Sequence, residues 1–351
     1  MGAITALGIM SGTSLDGVDF VLCRLKREPL QLTYLGEFHS KFPNALRTRL
    51  LEAAQHKSTV DKLAILHHDL GRFYAREVKR HSGLKRARID LAGLHGQTVF
   101  HKPPVATLQI GEPSYLAAAL GAPVIADFRV ADLALHGQGA PLATILHAAL
   151  FQQQIENESV AVHNLGGISN VSYFQRGSIK NLRHISGRKV LSFDTGPANM
   201  LIDLTAQRLF KKSYDKDGRL AAAGAVNEAA LSNWMKHPYF RKHPPKSCGR
   251  EEFGEVFYQR ALNDLRGHSP NDKLATFTEF TAMSIAHSYR RFLPELPAKV
   301  YLCGGGAKNP FLISRIQHHL PESKILTTED AGWPVSSIEG AAFALMAALR
   351  Y

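Results

Sequence analysis

The chain has 351 residues, 45% of them hydrophobic, and a formal charge of +12, which is enough length to bury a large core in two compact bodies. It contains no uninterrupted apolar run long enough for a membrane helix, and its opening MGAITALGIMSGTS lacks the charged and long apolar parts of a secretory leader, so we expect a cytoplasmic protein with no membrane partner. Its three cysteines, Cys23, Cys248 and Cys303, lie far apart, which argues against a disulfide framework and a thiolate metal site.

The positive charge favours anionic partners. The basic residues come in short clusters such as Arg76, Lys79, Arg80, Lys85, Arg86 and Arg88, without the interleaved aromatic rings of a nucleic-acid platform. A solvated face is the expectation there, and no nucleic-acid partner.

In chain order, the apolar segment 3–10, a turn-rich stretch over 11–17 and a second apolar run over 18–25 read as strand, loop, strand. Residues 61–81 carry apolar side chains at helical spacing, and 90–98 reads as a short buried strand ending in a polar turn. An alanine-rich helix over 113–120 and a strand over 122–128 follow, and a helix beginning near Pro141 marks the passage into a second body. The opening grammar then returns: SVAVHNL, a turn with Gly166 and Gly167, then VSYF. This echo of 4–25 in 159–174 predicts two similar α/β lobes. The second lobe continues with strands over 189–193 and 299–303, helices over 199–210 and 277–293, and a final alanine-rich helix over 336–351. The stretch from His237 to Cys248, with Pro238, Pro244 and Pro245, reads as a surface loop.

Four motifs carry chemistry. In the first, Gly12, Thr13, Ser14, Leu15, Asp16 and Gly17, with Val18 and Asp19 behind them, glycines and hydroxyls between two strands can cradle phosphate oxygens. The same composition also suits a plain hairpin turn, and no GK[ST] follows to make it a Walker loop. Carboxylates in a phosphate loop make sense when a cation mediates, which points to Mg²⁺ near Asp16 and Asp19. The second motif, Gly166 and Gly167, stands at the matching place of the second lobe; two such loops facing one another could clamp a triphosphate.

In the third motif, FDTGPAN, Asp194 closes a strand just before a helix. It is placed either as a general base over a cleft or as the cap of that helix, a role open also to Thr195 and Asn199. In the fourth, Gly304, Gly305 and Gly306 leave room for a flat ligand such as adenine, and Asn309, counted with them as a nucleotide-binding candidate, is followed by Pro310 in a coherent helix start. His95, Gln97, Arg129 and Asp132, with the turn HGQG at 136–139, are softer candidates for lining a sugar site.

Together GIMSGTSLDGVD, LHGQTVFHKP, QIGEPSYLA, ADFR, HGQGAPL, NLGGISN, FDTGPANMLID, CGGGAKNP and EGAAFA resemble the anhydro-N-acetylmuramic acid kinase family, over nearly the whole chain and in the same order. The resemblance implies a two-lobe actin/hexokinase-like ATPase fold, each lobe a mixed sheet flanked by helices, with an interlobe cleft. It places the first lobe at 1–135 plus the C-terminal helix 336–351, and the second at 136–335. It further implies an ATP- and Mg²⁺-dependent kinase of cell-wall recycling that opens the 1,6-anhydro bridge of the sugar with water while phosphorylating O6, and a homodimer is plausible for such a family. In that reading residues 12–19 bind ATP, Asp194 activates the water, and Glu339 supports the base or binds sugar.

Overall fold

The computed structural model describes residues 3–12, 15–27, 30–181, 184–185 and 189–351; Thr13 and Ser14 of the first loop lie outside the described residues. Its contacts divide the chain into two compact units, Met1–Leu150 with Ser337–Tyr351, and Phe151–Ser336.

In the first unit β1 (Ile4–Ser11), β2 (Gly17–Arg27), β3 (Leu30–Lys41), β4 (Leu91–Lys102) and β5 (Ala106–Ile110) lie in the order β3-β2-β1-β4-β5, and β6 (Val124–Ile125) also pairs with β4. The pairs β1–β2 and β2–β3 are antiparallel, whereas β1–β4 and β4–β6 are parallel. The second unit contains β7 (Val160–Leu165), β8 (Ile168–Phe174), a small ribbon of β9 (Ile179–Asn181) and β10 (His184–Ile185), then β11 (Val190–Pro197), β12 (Lys299–Cys303) and β13 (Lys324–Thr327). Its main sheet runs β11-β8-β7-β12-β13. Here too the first three strands form an antiparallel meander, and the next two are parallel to the first. The echo in the sequence is therefore a repeated sheet, with 4–25 and 159–174 supplying the leading hairpin of each. Each unit is thus an α/β body built on a mixed sheet.

Strand periodicity builds the first core. Leu7 and Ile9 of β1 and Val18, Phe20 and Leu22 of β2 point to one face, where they join Leu66, Leu70, Phe73 and Tyr74 of the amphipathic helix Val60–Arg80. The other face carries the alanine-rich helix Ile338–Arg350, packed on β1, β2 and β4. It sits flush because the contact is glycine on glycine: a methyl group on Gly8 would run into the Gly340 carbonyl, and one on Gly93 into that of Phe343. The second core is aromatic, with Trp234 stacked on Phe277 at 5.0 Å and Phe240, Phe253 and Phe280 grouped around them.

Several boundaries differ from the expectations. β4 does not turn at 95–98 but runs on to Lys102, because β5 pairs with its second half. Only Val124–Ile125 of the expected strand over 122–128 is extended, and Phe128–Ala134 is helical. The helix expected from Pro141 starts at Thr144, stops at Leu150 and resumes at Gln152–Asn157; its first part packs on β3 and on the C-terminal helix, within the first unit. The stretch 237–248 is the expected surface loop only in part: Arg241, Lys242, His243, Pro245 and Ser247 are exposed, but other residues anchor it inward. A 3-10 turn, Pro238–Arg241, buries Tyr239 and Phe240 completely, and Lys246 is buried as well.

Candidate functional site

Within the first unit, the loop between β1 and β2 is pinned from several sides. Gln97 Nε2 on β4 donates to the Gly12 carbonyl (3.2 Å), Arg47 Nε donates to that of Leu15 (3.0 Å), and Phe42 N donates to that of Asp16 (3.1 Å). Leu15 and Val18 are core residues, so only their backbone is available to a ligand. Gly17 lies so close to β3 that a methyl group there would strike the Ser40 carbonyl. Asp16 is exposed, while Asp19 is half-buried and accepts a hydrogen bond from His39 Nδ1 (2.8 Å) on the paired strand. That bond to Asp19 holds the His39 imidazolium above its ordinary range, with burial opposing.

His95, Arg129 and Asp132 are brought together. Arg129 Nε donates to His95 Nε2 (3.0 Å), which fixes the tautomer, and His95 Nδ1 donates to the Gly96 carbonyl (2.8 Å). Arg129 also reaches the Gly139 carbonyl (2.6 Å), and Asp132 Oδ2 accepts the Gly139 N–H (2.6 Å). Burial, reinforced by the Arg129 charge, pushes His95 down to about 3, so it is a neutral strut rather than an acid or base. The network shapes the 136–139 turn. Gln97 is buried on the same strand as His95, and its Oε1 has no hydrogen-bond partner among the described residues. Glu339 occupies the first turn of Ile338–Arg350, one turn before Phe343, whose ring packs on His95 at 4.7 Å.

In the second unit the two glycine motifs meet. The Gly166 and Gly167 carbonyls at the β7–β8 turn accept from the N–H groups of Asn199 (2.9 Å), Ala198 (3.0 Å) and Met200 (3.1 Å). The N-terminal amides of the helix Asn199–Phe210 are thus spent on this turn. Asn199 Nδ2 donates to the Leu165 carbonyl (2.8 Å), and Gly306 is packed against Leu165 and Asn199. Gly304 has φ +79° and its Cα faces Asn164 Oδ1, a combination of backbone and space that only glycine meets. Gly305 begins a short 3-10 turn. Asn309 caps the helix Pro310–His319 through Oδ1 and Leu312 N (3.1 Å); its side chain is committed to that role.

Asp194 does not cap a helix. β11 continues past it through an irregularity between Asp194 and Gly196 as far as Pro197, and Ala198 precedes the helix without a side-chain cap. Its carboxylate instead accepts the Cys248 N–H at Oδ2 (2.9 Å), its own N–H donates to the Lys246 carbonyl (3.1 Å), and Tyr239 OH donates to its carbonyl (2.6 Å). Behind it the buried Thr195 Oγ1 bonds Ser169 Oγ (2.6 Å), which bonds His163 Nε2 (2.5 Å), whose Nδ1 meets Tyr289 OH (2.8 Å). Burial drives His163 down to about 3, so this chain is uncharged and fixes the strand. A half-buried carboxylate held at one oxygen by Cys248 N, on a backbone moored at both its N–H and its carbonyl beside a strand irregularity, is suited to taking a proton from a bound water. The clamp of Tyr239, Lys246 and Cys248 escaped the sequence reading, although the adjacent aromatic pair at 239–240 was a signal for burial. His39 escaped it as well.

Among the described residues no group of three or more His, Cys, Asp or Glu side chains could hold a metal, and no helix is long and apolar enough to cross a membrane. A family model described as anhydro-N-acetylmuramic acid kinase matches residues 4–351. A protein of that name from Gloeobacter violaceus is 39% identical, with 100% of this chain and 93% of the relative covered. Another, from Crocosphaera subtropica, is 38% identical over 98% and 92%. Among solved structures, component A of the (R)-2-hydroxyglutaryl-CoA dehydratase of Acidaminococcus fermentans aligns with a TM-score of 0.49 at 14% identity, covering 99% of this chain and 98% of that one.

Proposed function

This chain belongs to the anhydro-N-acetylmuramic acid kinase family, and we propose that it opens 1,6-anhydro-N-acetylmuramic acid with water while transferring the γ-phosphoryl group of ATP to O6. The products are N-acetylmuramic acid 6-phosphate and ADP, as cell-wall recycling requires. The observation that carries the mechanism is the grip on Asp194, whose Oδ2 is held by Cys248 N while the strand irregularity carries the carboxylate.

In this reading Asp194 takes a proton from a water that attacks the anomeric carbon. The bond from that carbon to the bridging oxygen breaks, O6 forms its bond to the γ-phosphorus, and ADP leaves. Phosphoryl transfer is governed by positioning and charge neutralisation. In the first unit the backbone of Gly12 to Asp19 is assigned to the ATP phosphates, and in the second Gly166, Gly167 and Gly304 to Gly306 to the nucleotide. Magnesium, when bound with ATP, supplies neutralisation of the phosphate charge. The residues fit such an ion: two carboxylates completed by phosphates and waters are the donor set it takes, Asp16 is exposed, and Asp19 commits only Oδ1 to His39. Gln97 Oε1, which has no hydrogen-bond partner among the described residues, offers an acceptor to a substrate hydroxyl, and His95, Arg129 and Asp132 set the 136–139 turn. Glu339 is assigned to the sugar or to support of the base.

Incubation with Mg-ATP and the anhydro-sugar, followed by chromatography of sugar and nucleotide, tests this. Stoichiometric ADP and a phosphorylated sugar are expected. ADP release indifferent to the sugar, or preference for an ordinary hexose, would replace the reading with an ATP-driven switch or a kinase of another acceptor.

A further inference from the structure

One buried cation in the second unit is not used by the mechanism above. Lys246 is 7% exposed and its Nζ has no hydrogen-bond partner among the described residues. It lies instead over three rings, 4.3 Å from the centroid of Phe292, 4.6 Å from Tyr239 and 5.7 Å from Phe193. An ammonium taken out of water is tolerated when ring faces and a nearby anion replace its hydration.

The surroundings of this box are also the surroundings of Asp194. Phe193 precedes Asp194 on β11, Tyr239 donates its hydroxyl to the Asp194 carbonyl, the Lys246 carbonyl accepts the Asp194 N–H, and Cys248 N holds Oδ2. Of the other ionisable groups near it, Arg291 and His287 come from the helix Pro270–Phe292, Lys242 from the chain after the 3-10 turn, and His243 packs on the far ring at 5.5 Å from Phe292. Glu252 is engaged by Lys242. Burial keeps the Cys248 thiol protonated, so Asp194 is the anion that favours the ammonium, and Arg291 and Lys242 oppose it.

We propose that Lys246 is the positioning residue of the general base: its ring-boxed ammonium holds Asp194 as a carboxylate and keeps the 246–248 segment closed on it. The proposal rests on the reading of Asp194 as the base. Burial brings the ammonium down to about 8, with the Asp194 carboxylate opposing that fall, so the charge is present at neutral pH. An opposite charge nearby favours the ionised carboxyl, and the coupling is reciprocal: what Lys246 does to Asp194, Asp194 does to Lys246.

Two measurements test it. The first is the pH profile of kcat for the wild type, Lys246→Arg and Lys246→Met. Arg, which keeps the charge, should leave the acid limb in place; Met, which keeps the length without it, should move that limb to higher pH by about half a unit or more. The second needs no turnover. The side-chain NMR titration of Lys246 in the full-length protein, assigned by its loss in either variant, should move to lower pH in Asp194→Asn. An unmoved lysine titration in Asp194→Asn, or an unmoved acid limb in a folded Lys246→Met, overturns the proposal. A wild type that phosphorylates no anhydro-sugar sinks the functional reading alone, because the lysine titration still reports the coupling.

Discussion

Replacing Asp194 by Asn removes a proton acceptor while leaving its mooring. The amide oxygen can still accept the Cys248 N–H now held at 2.9 Å, and the two backbone bonds, from Asp194 N to Lys246 at 3.1 Å and from Tyr239 OH at 2.6 Å, do not involve the side chain. Exchanging a charged acceptor for a neutral one costs about 1 kcal/mol of stability. General-base catalysis is worth roughly 10²–10⁴-fold, which is ~2.7–5.4 kcal/mol of barrier. The variant should therefore fold, bind ATP as the wild type does, and lose about two to four decades of kcat. Sugar-dependent ADP release at saturating ATP, with nucleotide binding measured separately, reads both quantities. A kcat within about threefold of wild type in a folded Asp194→Asn would remove this residue from proton transfer. Asp194→Ala should be worse in stability by a further ~1–3 kcal/mol, because the Cys248 N–H loses its acceptor.

Burial pushes His95, His147 and His163 each down to about 3. Their folded values lie below the ordinary ~6.5, so the stability they contribute is full above that pH and is lost as pH falls towards 3, at up to ~1.4 kcal/mol per unit for each histidine. Urea midpoints should fall between about pH 7 and pH 5, and a flat profile would contradict the burial of neutral rings. Glu279, 4% exposed on its side chain, is fixed by Arg315 (2.5 and 2.8 Å) and His319 (2.6 Å). Burial raises its carboxyl, but the bonds from His319 and Arg315 outweigh this and hold it at about 2. Glu279→Gln should destabilise the fold by ~3 kcal/mol in thermal or urea unfolding with little change in the KM for ATP; a neutral result would mean the cluster opens in solution. Gly8→Ala drives a methyl group into the Gly340 carbonyl and should cost ~1–3 kcal/mol, read as a lower melting temperature.

What could be read from the sequence is what local rules decide. The helices Val60–Arg80 and Pro113–Leu120 follow from apolar spacing, and the Asn309 cap with Pro310 behind it needs no partner from afar. The repeated opening was legible because each leading hairpin is contiguous in the chain. The clamp on Asp194 was not, since its bonds to Tyr239 and Cys248 span 45 and 54 residues and the prolines around them imitate a loop. His39 became visible only through the register of β2 with β3, which sets it opposite Asp19. That Asp194 does not cap the following helix became visible only from β11 passing through the residue and bending beyond it.

Activation of water by Asp194 is tested most directly by a reaction with Mg-ATP and 1,6-anhydro-N-acetylmuramic acid in ¹⁸O-labelled water, with the product read by mass spectrometry before the anomeric hydroxyl exchanges. A 6-phosphorylated sugar carrying one label at the anomeric hydroxyl is the predicted result, strongly slowed in Asp194→Asn. An unlabelled phosphosugar, or labelled product formed at wild-type rate by Asp194→Asn, would contradict it.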